Sequence, residues 1–263
     1  MANTTSARSL FPKNPSRKIV MLTAYDYPLA RLVDQAGVDI VLVGDSLANV
    51  VLGLDSTVEV GIDIMIHHAK AVARGVERAY VVGDMPFDAY QVPGADAVAH
   101  ARRFLDEAGC DAVKVEWFDD AARVVKELRA AGIEVMGHVG LTPQTAREFR
   151  VRGRDAASAR AILEQAKVFE VEGCFSVVLE CVPEALADEI TRTLKVPTIG
   201  IGAGKSCDGQ VLVLHDMLGL NDRKVPSFVK KYADTSALVL NAVRQYKEEV
   251  QNGLFPDDAH TFH

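Results

Sequence analysis

Short runs of branched apolar residues recur along the chain, and most end on a glycine or a polar group that can bind a metal or move a proton. Val41-Leu42-Val43 runs straight into Gly44-Asp45-Ser46, and Val81-Val82 runs into Gly83-Asp84. Val113-Lys114-Val115-Glu116, Val135-Met136-Gly137-His138 and Val177-Val178-Leu179-Glu180 vary the same theme. Runs this short suit strands buried on both faces of a parallel sheet, and glycine lets the chain turn where a strand ends. The pattern predicts strands over 19–22, 39–43, 80–82, 112–115, 133–136, 176–179, 197–201 and 211–214. Helical spacing is predicted over 28–36, 63–74, 95–108, from Asp119 or Asp120 to Gly132, and over 156–171 and 183–194, with a terminal helix over 235–250. The connection over 47–60 is long enough to be functional, and little room is left for a helix between the seventh and eighth strands. Eight strands alternating with helices predict an α/β chain folded as a (β/α)₈ TIM barrel. No linker rich in Gly, Pro or Ser divides it, so one domain is expected over 1–263, with a short N-terminal arm and a C-terminal helix.

Composition adds limits. A chain of 263 residues is the size of one barrel and can bury a large core. A formal charge of −7 argues against a broad nucleic-acid surface, which needs clustered Lys and Arg. No apolar stretch approaches the length of a membrane span, and the arm from Met1 to Lys18 has no apolar signal-peptide core. Cys110, Cys174, Cys181 and Cys207 form no Cys-x-x-Cys pair, so reduced thiols in the cytoplasm are expected.

In such a barrel, catalytic groups stand at the strand ends on one rim. Asp45, Asp84 and Glu116 follow adjacent strands, and three carboxylates aimed at one spot repel unless a cation sits between them. An all-oxygen set favours a hard ion such as Mg²⁺; the alternative is three ordinary polar strand ends. Ser46 is either a hydrogen-bond donor to a substrate oxygen or a cap of the following segment. Lys114 alternates with Val113 and Val115 and so points to the opposite face, where it meets either an anionic substrate or Glu116. Glu180, away from the proposed metal, is placed for proton transfer, and His138 is either a further donor or a structural histidine. Gly200-Ile201-Gly202-Ala203-Gly204 suggests close backbone approach to a ligand, and the arginines at 147, 150, 152 and 154 either bind an acidic ligand or face solvent.

Several longer stretches stand in a fixed order: Leu22-Thr23-Ala24-Tyr25-Asp26-Tyr27, Leu42-Val43-Gly44-Asp45-Ser46, Asp55-Ser56-Thr57, Gly137-His138-Val139-Gly140-Leu141-Thr142-Pro143-Gln144, Leu179-Glu180-Cys181-Val182-Pro183 and Ile199-Gly200-Ile201-Gly202-Ala203-Gly204. Asp208-Gly209-Gln210 and His215-Asp216 follow. From Ile19 to His263 the chain resembles the ketopantoate hydroxymethyltransferase family. The resemblance implies a Mg²⁺-dependent barrel that moves a one-carbon unit from 5,10-methylenetetrahydrofolate onto 3-methyl-2-oxobutanoate, giving 2-dehydropantoate on the way to pantothenate. It implies metal ligands at Asp45, Asp84 and Glu116, substrate contacts at Asp45, Ser46, Asp84, Lys114 and His138, and a general base at Glu180. It also implies a homo-oligomer, commonly a decamer. A Mg²⁺-dependent carbon–carbon lyase or aldolase on another 2-oxo acid is the competing enzyme reading, and a catalytically silent binding protein is a third. Trp117-Phe118 stand where the family usually has Gly-Gly, Leu54 stands where it usually has His, and the stretch over 147–154 is shorter than usual. The two rings beside Glu116 are expected either to narrow the pocket or to alter how the pterin enters.

Overall fold

The apolar runs become the staves of a closed barrel. The computed structural model describes residues 7–13, 16–146, 148, 150–221, 223 and 225–263. Its strands are β1 (Ile19–Thr23), β2 (Ile40–Val43), β3 (Tyr80–Asp84), β4 (Ala112–Glu116), β5 (Val135–Gly140), β6 (Ser176–Glu180), β7 (Thr198–Ile201) and β8 (Gly209–Leu212), all parallel and closed in sequence order. The chain divides after Val213 into two compact units, a boundary that no change in composition marks.

In the barrel unit the helices are α1 (Ala7–Leu10), α2 (Tyr27–Gln35), α3 (Leu47–Val50), α4 (Ile62–Gly75), α5 (Phe87–Tyr90), α6 (Ala97–Arg102), α7 (Ala121–Ala130), α8 (Ala156–Val171) and α9 (Glu184–Thr193). Asp26, Asp96 and Asp155 start α2, α6 and α8 by accepting backbone N–H groups of the first turn. No helix lies between β7 and β8, as the short spacing predicts. Two strands lie off their predicted positions. β5 runs on to Gly140, where it still pairs with Glu180 of β6, and Gly137 within it leaves room for the Phe169 ring, which a Cβ there would meet at 2.5 Å. β8 starts at Gly209, where the chain passes so close to Ile19 that a Cβ would lie 2.6 Å from its carbonyl oxygen. The helix predicted over 95–108 changes to a π-helical turn over Arg103–Glu107, which seats the buried Phe104 against Gly83.

Period-two alternation sends Ile40 and Leu42, Tyr80 and Val82, Ala112, Met136, Val178, Ile199 and Val211 into one buried core. The arm closes its lower end. Phe11 stands edge-on to Tyr80 at 5.4 Å and 6.2 Å from the Phe175 ring. On the same end, carboxylates tie several strand entries to their neighbours. Asp34 accepts from the N–H groups of Glu77, Arg78 and Ala79, Asp39 from Val20, Asp111 from Val81, and Asp208 from Thr198.

The second unit, Leu214–His263, holds α10 (Leu214–Leu218) and α11 (Thr235–Gln251). The Tyr232 N–H donates to the Met217 carbonyl at 2.7 Å, and the Ser236 hydroxyl donates to the Gly219 carbonyl at 2.6 Å. No residue of α11 is buried, and Leu238, Val239, Leu240, Val243, Tyr246 and Val250 stand exposed. Among the described residues no helix is long and apolar enough to cross a membrane.

Candidate active site

The inward positions turn from apolar to ionisable toward the C-terminal ends of the strands. Two residues beyond Val82 stands Asp84; beyond Ala112 stand Lys114 and Glu116; beyond Met136 stands His138; and beyond Val178 stands Glu180. Asp45 joins them from the turn after β2, where its backbone N–H donates to Asp84 Oδ2 at 3.1 Å. The structure thus brings together all the ionisable residues expected at the site. Asp45, Asp84, Lys114, Glu116 and His138 are buried, and the Glu180 side chain is 17% exposed.

Lys114 Nζ donates to Asp84 Oδ1 at 2.6 Å and stands 4.0 Å from Glu116 Oε1. Its closest partner is Asp84, across the β3–β4 pair, and Glu116 on its own strand, one of the two partners the spacing allowed, makes the longer ion pair. Burial lowers the Lys114 pKa, but the carboxylates of Asp84, Glu116 and Asp45 outweigh it and hold the ammonium charged. Burial pushes the Asp84 carboxyl up to about 7, with Lys114 pulling it down and Asp45 and Glu116 adding to the rise. Burial likewise raises Glu116, against the pull of His138 and Lys114. The cluster is short of positive charge.

His138 stands between two carboxylates, with Nδ1 3.2 Å from Glu116 Oε1 and Nε2 3.2 Å from Glu180 Oε2. Burial and Lys114 push its pKa down, while Glu116 and Glu180 push it up and prevail, to about 9. Both contacts are ion-pair approaches off the hydrogen-bond line, so Glu116 Oε1 and both ring nitrogens lack an in-line partner. Ser46 does not cap α3; its hydroxyl lies 2.8 Å from the Tyr25 hydroxyl.

A cation fits this donor set. The oxygens are hard, negative charge exceeds positive, and Glu116 Oε1 is a buried acceptor with no in-line hydrogen bond, His138 Nδ1 standing 3.2 Å away. Among the described residues no group of three or more His, Cys, Asp or Glu is arranged to hold a metal by itself. Asp45, Asp84 and Glu116 could therefore hold one only with further oxygens from water or substrate.

Patterning passed over two residues that frame the cluster. Gln144, in the loop after β5, donates from Nε2 to Asp45 Oδ2 and from its backbone N–H to Glu116 Oε2, each at 3.0 Å. Tyr90 accepts the Glu116 N–H at 3.0 Å through its hydroxyl. Both lie in irregular or short segments, where hydrophobic periodicity says nothing about direction. The one available signal was the Gly140-Leu141-Thr142-Pro143-Gln144 motif.

Other expectations change. The Trp117 ring packs edge-on against Phe169 of α8 at 5.3 Å, in the outer layer, and the Phe118 ring packs on Tyr90 at 5.4 Å. Trp117 follows an inward-facing residue and so turns outward. Phe118 reaches the site through Tyr90, whose hydroxyl accepts the Glu116 N–H. Two glycines of the run that ends β7 have protein atoms close by. A Cβ on Gly204 would meet Glu184 Cγ at 2.6 Å, and one on Gly200 would meet Cys207 Sγ at 3.0 Å. Leu54 donates its N–H to the Ala48 carbonyl and accepts from the Asn49 side chain at its own carbonyl. Arg150 and Arg154 are exposed and Arg152 half-buried, while Arg147 lies outside the described residues.

The ketopantoate hydroxymethyltransferase family model matches residues 4–258. The chain is 54% identical over 253 residues to a 3-methyl-2-oxobutanoate hydroxymethyltransferase of Syntrophus aciditrophicus (strain SB), covering 95% of this chain and 93% of the relative. It is 50% identical over 265 residues to one from Syntrophobacter fumaroxidans (strain DSM 10017 / MPOB), covering 100% and 94%. Solved structures share the fold at low identity. Phosphoenolpyruvate phosphomutase from Streptomyces platensis subsp. rosaceus superposes with a TM-score of 0.62 at 14% identity, over 95% of this chain and 88% of the other. A phosphonopyruvate hydrolase complexed with oxalate and Mg²⁺ gives 0.60 at 13% identity, over 97% and 90%. With a family model spanning nearly its whole length and relatives half identical to it from end to end, the chain belongs to the ketopantoate hydroxymethyltransferase family.

Proposed function

We propose that this transferase is Mg²⁺-dependent and moves the one-carbon unit of 5,10-methylenetetrahydrofolate onto 3-methyl-2-oxobutanoate, giving 2-dehydropantoate. The observation that carries the reading is the buried cluster of Asp45, Asp84 and Glu116 around Lys114, on a chain of this family. Family membership supports the acceptor and the transferred group. The hydrolase of the same fold that binds oxalate and Mg²⁺ supports a 2-oxo acid beside a divalent ion.

Asp45, Asp84 and Glu116 would hold the ion, which when bound would stabilise negative charge developing on the keto oxygen. Lys114, kept charged by Asp84, would hold the substrate's anionic end, and Ser46 would add a hydrogen bond. Glu180 takes the proton from C3. It is the one carboxylate of the group that is not committed to the ion and remains partly open to solvent. Water adds to the methylene carbon of the folate and both of its C–N bonds break, each nitrogen taking a proton from that water, which releases a formaldehyde equivalent. The C3 carbanion equivalent forms its bond to that carbon, and the resulting alkoxide takes the proton held by Glu180 to become the hydroxyl. His138, protonated between Glu116 and Glu180, orients the base. A bridging histidine also fits the substrate contact that the resemblance implies for it.

A homo-oligomer belongs to the same reading and is supported by the uncovered apolar residues of α11; light scattering of the purified protein measures its size. A cytoplasmic location is supported by four free cysteines. The deciding experiment follows 2-oxo acid consumption with and without methylenetetrahydrofolate, and with EDTA. Turnover should need both the folate and the metal. Folate-independent cleavage of another 2-oxo acid would favour a lyase, and undiminished turnover in EDTA would remove the metal from the mechanism.

A further inference from the structure

Gln144 is 5% exposed and sits behind Pro143 in the loop that follows β5. Every hydrogen-bonding position of its amide is used. Nε2 donates to Asp45 Oδ2 and to the Met85 carbonyl, both at 3.0 Å. Oε1 accepts from the Tyr90 hydroxyl and from Gln91 Nε2, both at 2.8 Å. The Tyr90 hydroxyl in turn accepts from Gln91 Nε2 at 2.9 Å and from the Glu116 N–H at 3.0 Å. An amide has two donor hydrogens and two acceptor lone pairs, and all four are taken here. The orientation follows from the partners, because a reversed amide would set its oxygen against a carboxylate and a carbonyl. The backbone N–H of the same residue donates to Glu116 Oε2 at 3.0 Å.

One loop residue therefore grips carboxylates from two non-adjacent staves, after β2 and at the end of β4. In each it engages a single oxygen. Asp45 Oδ1 and Glu116 Oε1 are the oxygens it does not take; Glu116 Oε1 is buried without an in-line donor, with His138 Nδ1 3.2 Å and Lys114 Nζ 4.0 Å away. We propose that Gln144 is a positioning residue, whose side-chain amide and backbone N–H set the rotation of the Asp45 and Glu116 carboxylates so that their other oxygens face a divalent cation and the 2-oxo acid. The inference rests on the metal reading of the site. Tyr90 and Gln91 act one step further out by holding the amide. Glutamine suits the place because a carboxylate there would face Asp45, and a hydrophobic side chain would leave the Met85 carbonyl and the Tyr90 hydroxyl short of partners.

The test uses Mn²⁺ as the probe, binding to the full-length protein followed by electron paramagnetic resonance, with circular dichroism and thermal melting as controls for folding. Gln144→Met keeps the length of the side chain and removes both polar ends. Gln144→Glu keeps the shape and sets like charge against Asp45. Both folded variants should bind Mn²⁺ about 10- to 100-fold more weakly, the usual effect of losing a partner of a metal ligand. Tyr90→Phe, which loosens the amide from behind, should weaken binding less and in the same direction. A residue that merely glued loops together would lower the melting temperature and leave the Mn²⁺ affinity and spectrum of the folded protein unchanged; that result in Gln144→Met overturns the inference alone. If neither Gln144 variant folds, Tyr90→Phe decides, and wild-type affinity in it overturns the inference. Absence of Mn²⁺ binding by the wild type overturns the metal reading, and the inference with it.

Discussion

Lys114 and Glu116 share a strand and a face, yet the lysine's short contact is to Asp84 on the next stave. Spacing along one strand cannot show this, because side chains two apart stand about 7 Å apart along the strand while neighbouring strands lie about 5 Å apart. Glu180 is the residue whose role is most sharply testable. Glu180→Gln keeps size and hydrogen bonding but cannot accept the C3 proton, so C3–H exchange into deuterated water should fall about 10²- to 10⁴-fold. NMR follows this exchange without folate, and Mn²⁺ binding should persist. Exchange at the wild-type rate would pass the role of base to His138. Trp117 makes the opposite case. Packed on Phe169 in the outer layer, Trp117→Ala should cost roughly 1–3 kcal/mol of stability and leave the preference among 2-oxo acids unchanged. A shifted preference in a panel of 2-oxo acids would show that the ring reaches the pocket.

At the scale of elements, the two ends of the barrel use carboxylates for different ends. At the C-terminal rim they face one another and a lysine. At the N-terminal rim each one accepts backbone N–H groups from a neighbouring strand or the segment leading into it, as Asp34 of α2 does for the entry to β3. Burial pushes the Asp34 carboxyl up, but the N–H groups of Ala79, Arg78 and Glu77, with Arg78 close by, hold it below its ordinary value. The stability this adds is present in full above about pH 5 and is lost as pH falls through the depressed native value. Asp34→Asn should therefore cost roughly 2 kcal/mol at neutral pH. The gap to wild type in urea melts should close as the solution is acidified. A gap that stays constant down to pH 2 would mean that the charge contributes nothing.

For the whole molecule, the arm is part of the core. Phe11 meets Tyr80 and Phe175, so the barrel floor is completed by a residue that precedes every strand. Phe11→Ala should cost roughly 3 kcal/mol in urea unfolding. It should leave kcat per folded molecule unchanged, because the reacting groups lie at the other end. A fall in kcat with no loss of stability would refute the assignment of Phe11 to the floor. The division after Val213 has a different standing. Helical spacing predicts α11 almost to the residue, but spacing cannot say that none of its residues is buried.

What the sequence determined by itself was the barrel and its rim. Branched runs of four or five residues, each ending on glycine or a polar group, suit strands buried on both faces, and their alternation with helical spacing makes the sheet parallel. The alternation of helices closes that sheet with Asp45, Asp84, Lys114, Glu116, His138 and Glu180 at one end. Tertiary structure alone decided the partners. The Lys114–Asp84 pair, the placement of His138 between Glu116 and Glu180, the outward turn of Trp117 and the grip of Gln144 on Asp45 and Glu116 all join residues from different staves or loops. Periodicity records which face a residue occupies. Distances across the barrel mouth come from strand register and loop path, which the pattern along one strand does not contain.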